Sequence, residues 1–151
     1  MPSLVQVEPI ALMPTQAGCA VFLANGEKVM VFYIDPAIGM SINSVLTGDV
    51  PERPLTHDLF MMFFDCFGVK VLRCIIVRHE DDVFYSRLIV EAKNELMQRK
   101  IIELDARPSD GIALCVRAKS PLYVTQELWD QMPDVSEMLD DMRQQGNLDL
   151  E

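Results

Sequence analysis

Long hydrophobic runs are missing from this chain. The longest unbroken ones, residues 59–64 among them, are six residues long, far short of the roughly 20 residues a membrane-spanning helix needs, so no span is expected. Residues 1–10 contain Glu8 and Pro9 and no basic stretch, so they do not read as a secretory leader. Histidine is scarce, with 2 in the chain, and the 4 cysteines form no C-x-x-C pair. That argues against a zinc site, which wants paired ligands. Cys19, Cys66, Cys74 and Cys115 each have apolar neighbours and read as free, buried thiols of a reducing cytoplasm. Neither G-x-G-x-x-G nor G-x-x-x-x-G-K-[ST] occurs, and strands and helices do not alternate strictly. A doubly wound nucleotide fold is therefore excluded. The 7 glycines and 9 prolines are too few and too scattered for a fibrous chain. An excess of positive charge is also absent. The net charge is −10, so the chain as a whole has no pull toward phosphate backbones.

What is present suits one domain. The chain has 151 residues, half of them hydrophobic, enough to bury a sizeable core. The charge is uneven: residues 52–126 are neutral, with eleven basic and eleven acidic groups, whereas residues 127–151 carry Arg143 against eight acids. Any contact with nucleic acid must therefore use a local cluster of arginines from the middle of the chain.

Residues 4–12 and 18–24 read as strands, and Asn25-Gly26 supplies a hairpin turn into a third strand at 28–34. Ile38, Ile42 and Val45 make a helical stripe within residues 36–46. A second helix is expected over 56–67, with Thr56 as N-cap, Asp58 at the positive helix end and Gly68 as the stop. It is apolar almost all round, so the sheet or another subunit must cover it. Residues 69–78 and 83–91 form a second hairpin across Glu80-Asp81-Asp82. A strand at 100–104, a helix at 108–118 and a strand at 122–125 follow. A shift of 72 residues lays Pro36-Ala-Ile-Gly39 on Pro108-Ser-Asp-Gly111, which leaves an internal β3-α duplication and chance similarity both open. The fold class is α+β, with antiparallel β-hairpin units each followed by a helix. One domain spans residues 1–130. Residues 131–151 form an acidic tail in which Val135, Met138, Leu139 and Met142 space as a short amphipathic helix, the least anchored part of the chain.

Two polar stretches stand where the chain enters a helix, Arg53-Pro-Leu-Thr-His-Asp58 and Leu104-Asp-Ala-Arg-Pro-Ser-Asp-Gly111. In a structural role Thr56 and Ser109 cap helices, Asp58 and Asp110 meet helix dipoles, and Arg107 ties loops through a carboxylate such as Asp105. In a functional role the two stretches meet in one cleft. Asp105 and Asp110 then hold a divalent cation such as Mg or Mn, and Arg53, Arg107 and Ser109 bind substrate phosphate. His57, with Asp58, handles protons. Those parts suit hydrolysis of phosphodiester bonds. His79, beside Glu80-Asp81-Asp82, reads as solvated surface.

The run Leu104-Asp-Ala-Arg-Pro-Ser-Asp-Gly-Ile-Ala-Leu114, followed by Pro121-Leu-Tyr-Val124, resembles the signature of the bifunctional nuclease domain family. Arg53-Pro-Leu-Thr-His-Asp58 and Phe84-Tyr85 match its other recurring stretches in the same order. The resemblance covers residues 5–130. It implies a compact α+β domain, a homodimer, and activity on DNA and RNA. Gly111 stands where the family more often has alanine, and residues 32–39 are only loosely like the family's segment there. Two functions remain to be separated: a nuclease, and a non-enzymatic dimeric module that binds a small ligand or a protein partner.

Overall fold

The computed structural model describes residues 3–148. Two units of the same plan share one sheet. In the first, β1 (Leu4–Thr15), β2 (Gly18–Ala24) and β3 (Val29–Ile34) run as an antiparallel meander into α1 (Pro36–Thr47). In the second, β4 (Val69–Glu80), β5 (Val83–Lys93) and β6 (Arg99–Ala106) do the same into α3 (Pro108–Ala118). Between the units lies α2 (Thr56–Cys66), and after them come β7 (Leu122–Thr125), α4 (Gln126–Gln131) and α5 (Ser136–Leu148). The strand order is β3-β2-β1-β7-β4-β5-β6. The two meanders thus run outward from a shared centre, and β7 joins them, antiparallel to β1 and parallel to β4.

The duplication is visible in the register. A shift of 72 residues carries Pro36 onto Pro108 at the first helical position and Ile34 onto Ala106. Those two residues pair with Cys19 on β2 and Ser86 on β5. Each helix ends in a left-handed residue, Gly48 and Lys119. Gly26 has a φ of 99° in the first hairpin, and Asn25 Oδ1 accepts from the N–H groups of Glu27 and Lys28. The second hairpin turns through Asp81 and Asp82, with φ of 52° and 62°, the mirror-image turn that matches strand twist.

Alternation along the strands sorts side chains to two faces. Val21, Leu23, Met30 and Phe32 point to the face covered by α1 and α3 and pack with Ile42 and Ile112. Ala20 and Phe22 point the other way and pack with Leu139 of α5, with Val135 and Met142 beside it. Residues 135–142 are therefore anchored, contrary to the expectation from the charge of the tail. Leu128 and Trp129 are buried, and the N–H of Val135 donates to the carbonyl of Val29 at 2.8 Å. The apolar stripe outweighs the self-repulsion of Asp134, Glu137, Asp140 and Asp141, because those acids face water.

Bulges between Pro9 and Ala11, Val71 and Arg73, and Ile76 and Arg78 bend the long strands. The sheet curls far enough that Phe32 on β3 meets Phe84 on β5, ring centroids 5.3 Å apart, although four strands separate them in the sheet. This curl brings the starts of α1 and α3 together at one end of the domain.

Gly111 marks the tightest helix-to-sheet contact. A Cβ there would lie 2.4 Å from Cys74 Sγ, and at the equivalent Gly39 2.6 Å from Cys19 Sγ. Both thiols are buried and free, so neither has room to move aside. The departure from the family's alanine is thus matched by the cysteine beneath it. Gly111→Ala is expected to cost about 1–3 kcal/mol through overpacking, and Cys74→Ala added to it should restore much of that loss. Denaturant titration of both singles and the double checks this; strictly additive losses would refute the packing account.

Candidate functional site

A chain of hydrogen bonds links the three helices that pack on this face. His57, in the first turn of α2, lies between Ser41 of α1 and Asp110 of α3. Its Nδ1 is 2.8 Å from Ser41 Oγ and its Nε2 2.9 Å from Asp110 Oδ1. Arg117 at the end of α3 donates from a guanidinium NH2 group to Ser41 Oγ at 3.0 Å, and from Nε to Asp58 Oδ1 at 2.8 Å. With Arg117 donating to it, the Ser41 hydroxyl is free to donate to His57 Nδ1, which leaves the proton of a neutral ring on Nε2, aimed at Asp110. Asp58 Oδ2 accepts from the N–H of Leu55 at 2.8 Å. Leu55, not Thr56, holds the N-cap position of α2, and the carboxylate of Asp58 reaches back to it. Burial pushes the Asp58 carboxyl up, but Arg117 and the Leu55 N–H more than offset this and hold it below the usual carboxylate range.

Arg117 is 7% exposed and Asp110 41%. The network therefore runs from a buried guanidinium to a carboxylate that water can reach. No buried side-chain nitrogen or oxygen among the described residues lacks a partner. Such a fully satisfied network fixes the ring of His57 and the near oxygen of Asp110.

A cleft of about 400 Å³ opens where the starts of α1 and α3 converge. Arg107, Pro108, Ser109 and Asp35 line it with Tyr33 and Phe84. Phe84 carries His79 stacked on its ring at 4.1 Å. His79 is exposed, as the sequence suggests, but it is not merely solvated. Arg107 and Asp110 lie three residues apart on the first turn of α3 and share its side.

Of the residues singled out from sequence, His57, Asp58 and Asp110 are brought together by Ser41 and Arg117, and Arg107 and Ser109 stand at the cleft. Asp105 is elsewhere. It sits opposite Arg87 in the β5–β6 register and pairs with that side chain at 2.9 Å, so it does not tie Arg107. Ser86, one residue before Arg87, faces α3, so the pleat sends Arg87 and Asp105 to the other face of the sheet. Asp105 and Asp110 therefore form no joint ligand set for a metal. Among the described residues, no group of three or more histidines, cysteines or carboxylates is placed to hold one. Arg53 is exposed on the loop before α2 and does not line the cleft. Cys66 is exposed, unlike the other three cysteines, because α2 presents that side to solvent.

Ser41 and Arg117 went unnoticed in the sequence. Ser41 lies in an apolar helix and Arg117 near a helix end, where a basic residue is ordinary. Only the long reach across the α1–α3 contact gives them meaning.

Fold and site together define a duplicated α+β domain with a polar cleft at two helix starts and an Asp–His pair beside it. The chain belongs to the bifunctional nuclease domain family, whose model matches residues 21–136. It is also 30% identical over 118 residues to the uncharacterized proteins MT1877 and Rv1829 of Mycobacterium tuberculosis (strains CDC 1551 / Oshkosh and ATCC 25618 / H37Rv). That match covers 76% of this chain and 67% of each relative. No helix among the described residues is long and apolar enough to cross a membrane.

Proposed function

We propose that the protein hydrolyses phosphodiester bonds in DNA, RNA or both, with Asp110 and His57 as the proton-handling pair. The observation that carries this reading is the placement of Asp110. It is water-accessible, fixed by His57 on one oxygen, and on the same helix turn as Arg107, which makes no ion pair among the described residues. A water on the second oxygen of Asp110 gives its proton to the pair as its own oxygen forms the new bond to phosphorus. The bond to the leaving strand's oxygen breaks, and solvent protonates that oxygen. Arg107 and Ser109 bind the phosphate, and Arg107 offsets the charge that grows on it. Asp58 serves by positioning, through Arg117 and Ser41. The test is cleavage of labelled RNA and DNA by the parent and Asp110→Asn, each with and without EDTA. The EDTA arm reports whether a divalent cation takes part, and a parent that cleaves neither strand overturns the reading.

A second reading is favoured by α2. Leu59, Phe60, Met62, Phe63 and Phe67 are all exposed, and a cleft of about 640 Å³ lined by Val45, Val50, Met61 and Met62 extends that surface. An apolar patch of this kind is characteristic of an interface, and a second copy of the chain is the partner we assign to it. Sedimentation should give twice the 17.1 kDa chain mass. Phe63→Glu, on a residue 57% exposed, should give the single mass without loss of fold. A parent that sediments as one chain at micromolar concentration refutes it.

A further inference from the structure

The two repeats begin their helices differently. In the first, Asp35 caps α1, its carboxylate accepting from the N–H of Ala37 at 2.8 Å. The equivalent residue in the second is Arg107, which can only donate, and no side chain caps α3. The N–H groups of Ser109 and Asp110 in that first turn are left without an intrahelical acceptor. Ser109 is 5% exposed and lines the cleft, and its hydroxyl makes no hydrogen bond to any described residue. Arg107 lines the same cleft and makes no ion pair among the described residues. Backbone donors, the Ser109 hydroxyl open to the cleft and an arginine are thus gathered at one place, bonded to neither of the carboxylates that also line it. An anion is the missing partner.

The walls narrow the choice of anion. Tyr33, 51% exposed, lines the cleft beside Phe84, whose ring is already stacked on His79, and a nucleic-acid base stacks on an exposed ring such as that of Tyr33. Asp35 and Asp82 also line it. Carboxylates accept from base amino groups and ribose hydroxyls but repel phosphates. A second backbone, as in a duplex, would meet these two and the neighbouring Glu80 and Asp81 of the hairpin. We propose that the start of α3 holds one phosphate of an unpaired nucleic-acid strand through Arg107 and Ser109, with the adjoining base in the aromatic cleft, so that the protein takes single strands and rejects duplexes. This rests on the nuclease reading for its substrate, not for its geometry.

Binding tests it apart from cleavage. Fluorescence anisotropy at one fixed salt concentration would compare labelled single-stranded RNA and DNA of about ten nucleotides with the matching DNA duplex, strand integrity being checked by gel. The single strands should bind about tenfold or more tightly than the duplex. Arg107→Gln and Ser109→Ala should each weaken single-strand binding about fivefold, and Tyr33→Ala by about fivefold or more, all with melting temperatures near the parent's. Equal or tighter duplex binding overturns the proposal, as does parent-like binding by both Arg107→Gln and Ser109→Ala. Selective single-strand binding without cleavage by the parent upholds the proposal and defeats the nuclease reading. Cleavage of duplex and single strands alike by the parent, with the two bound equally tightly, does the reverse.

Discussion

Replacing Arg117 with alanine should lower the melting temperature by roughly 6–12 °C. Arg117 is buried and joins three helices, bonding to Asp58 of α2, to Ser41 of α1 and to the carbonyl of Ala113 on its own helix. Removing one partner of a buried ion pair costs about 3–5 kcal/mol. Asp58 is partly exposed, at 32%, and can regain water, so the lower end near 3 kcal/mol applies. At this chain length each kcal/mol moves the midpoint by about 2–4 °C. The pH dependence gives the mechanism away. The folded-state pKa of Asp58 is depressed, so its contribution is present above its unfolded value of about 4 and fades as pH falls through the lower folded value. The gap between parent and Arg117→Ala should therefore be full at pH 7 and narrow at pH 3. A gap of equal size at both would mean that the arginine acts through packing of its stem and not through Asp58.

The elements were legible because local signals agreed with the global fold. Asn25-Gly26 marked one hairpin, and the prolines that begin both α1 and α3 hinted at the repeat without deciding it. The helix at Pro108–Ala118 and the strand at Leu122–Thr125 stand at the bounds expected from sequence. The site was legible only in part. His57, Asp58 and Asp110 drew attention as polar groups at helix starts, where sequence position and spatial position nearly coincide. Asp105 misled because its place is set by pleat and cross-strand register, and a one-residue step on a strand moves a side chain to the opposite face. Ser41 and Arg117 were hidden for a related reason. Their partners lie 16 to 76 residues away, and only the packing of α1 against α3 brings them together. The docking of α5 was likewise invisible, since an acidic segment with a sparse apolar stripe looks the same whether it lies on a sheet or hangs in solvent.

Asp110→Asn should abolish most strand cleavage while leaving the fold intact. The amide has the shape of the carboxylate, and its oxygen can still accept from His57 Nε2 at the 2.9 Å separation seen here. What it loses is the ability to take a proton from water. General-base catalysis contributes about 10²–10⁴ in rate, so kcat/KM should fall by that factor with a melting temperature close to the parent's. His57→Ala is the harsher change. It strands the Ser41 hydroxyl and removes the group that orients Asp110, so cleavage should drop and the midpoint with it. The pair of variants separates chemistry from scaffolding. If Asp110 only holds α2 to α3, its asparagine variant keeps the bond to His57 and should cleave as the parent does. Parent-like cleavage by Asp110→Asn would therefore remove Asp110 from the reaction. The network would then stand as the clasp of three helices, and the proton acceptor would have to be sought elsewhere along the cleft.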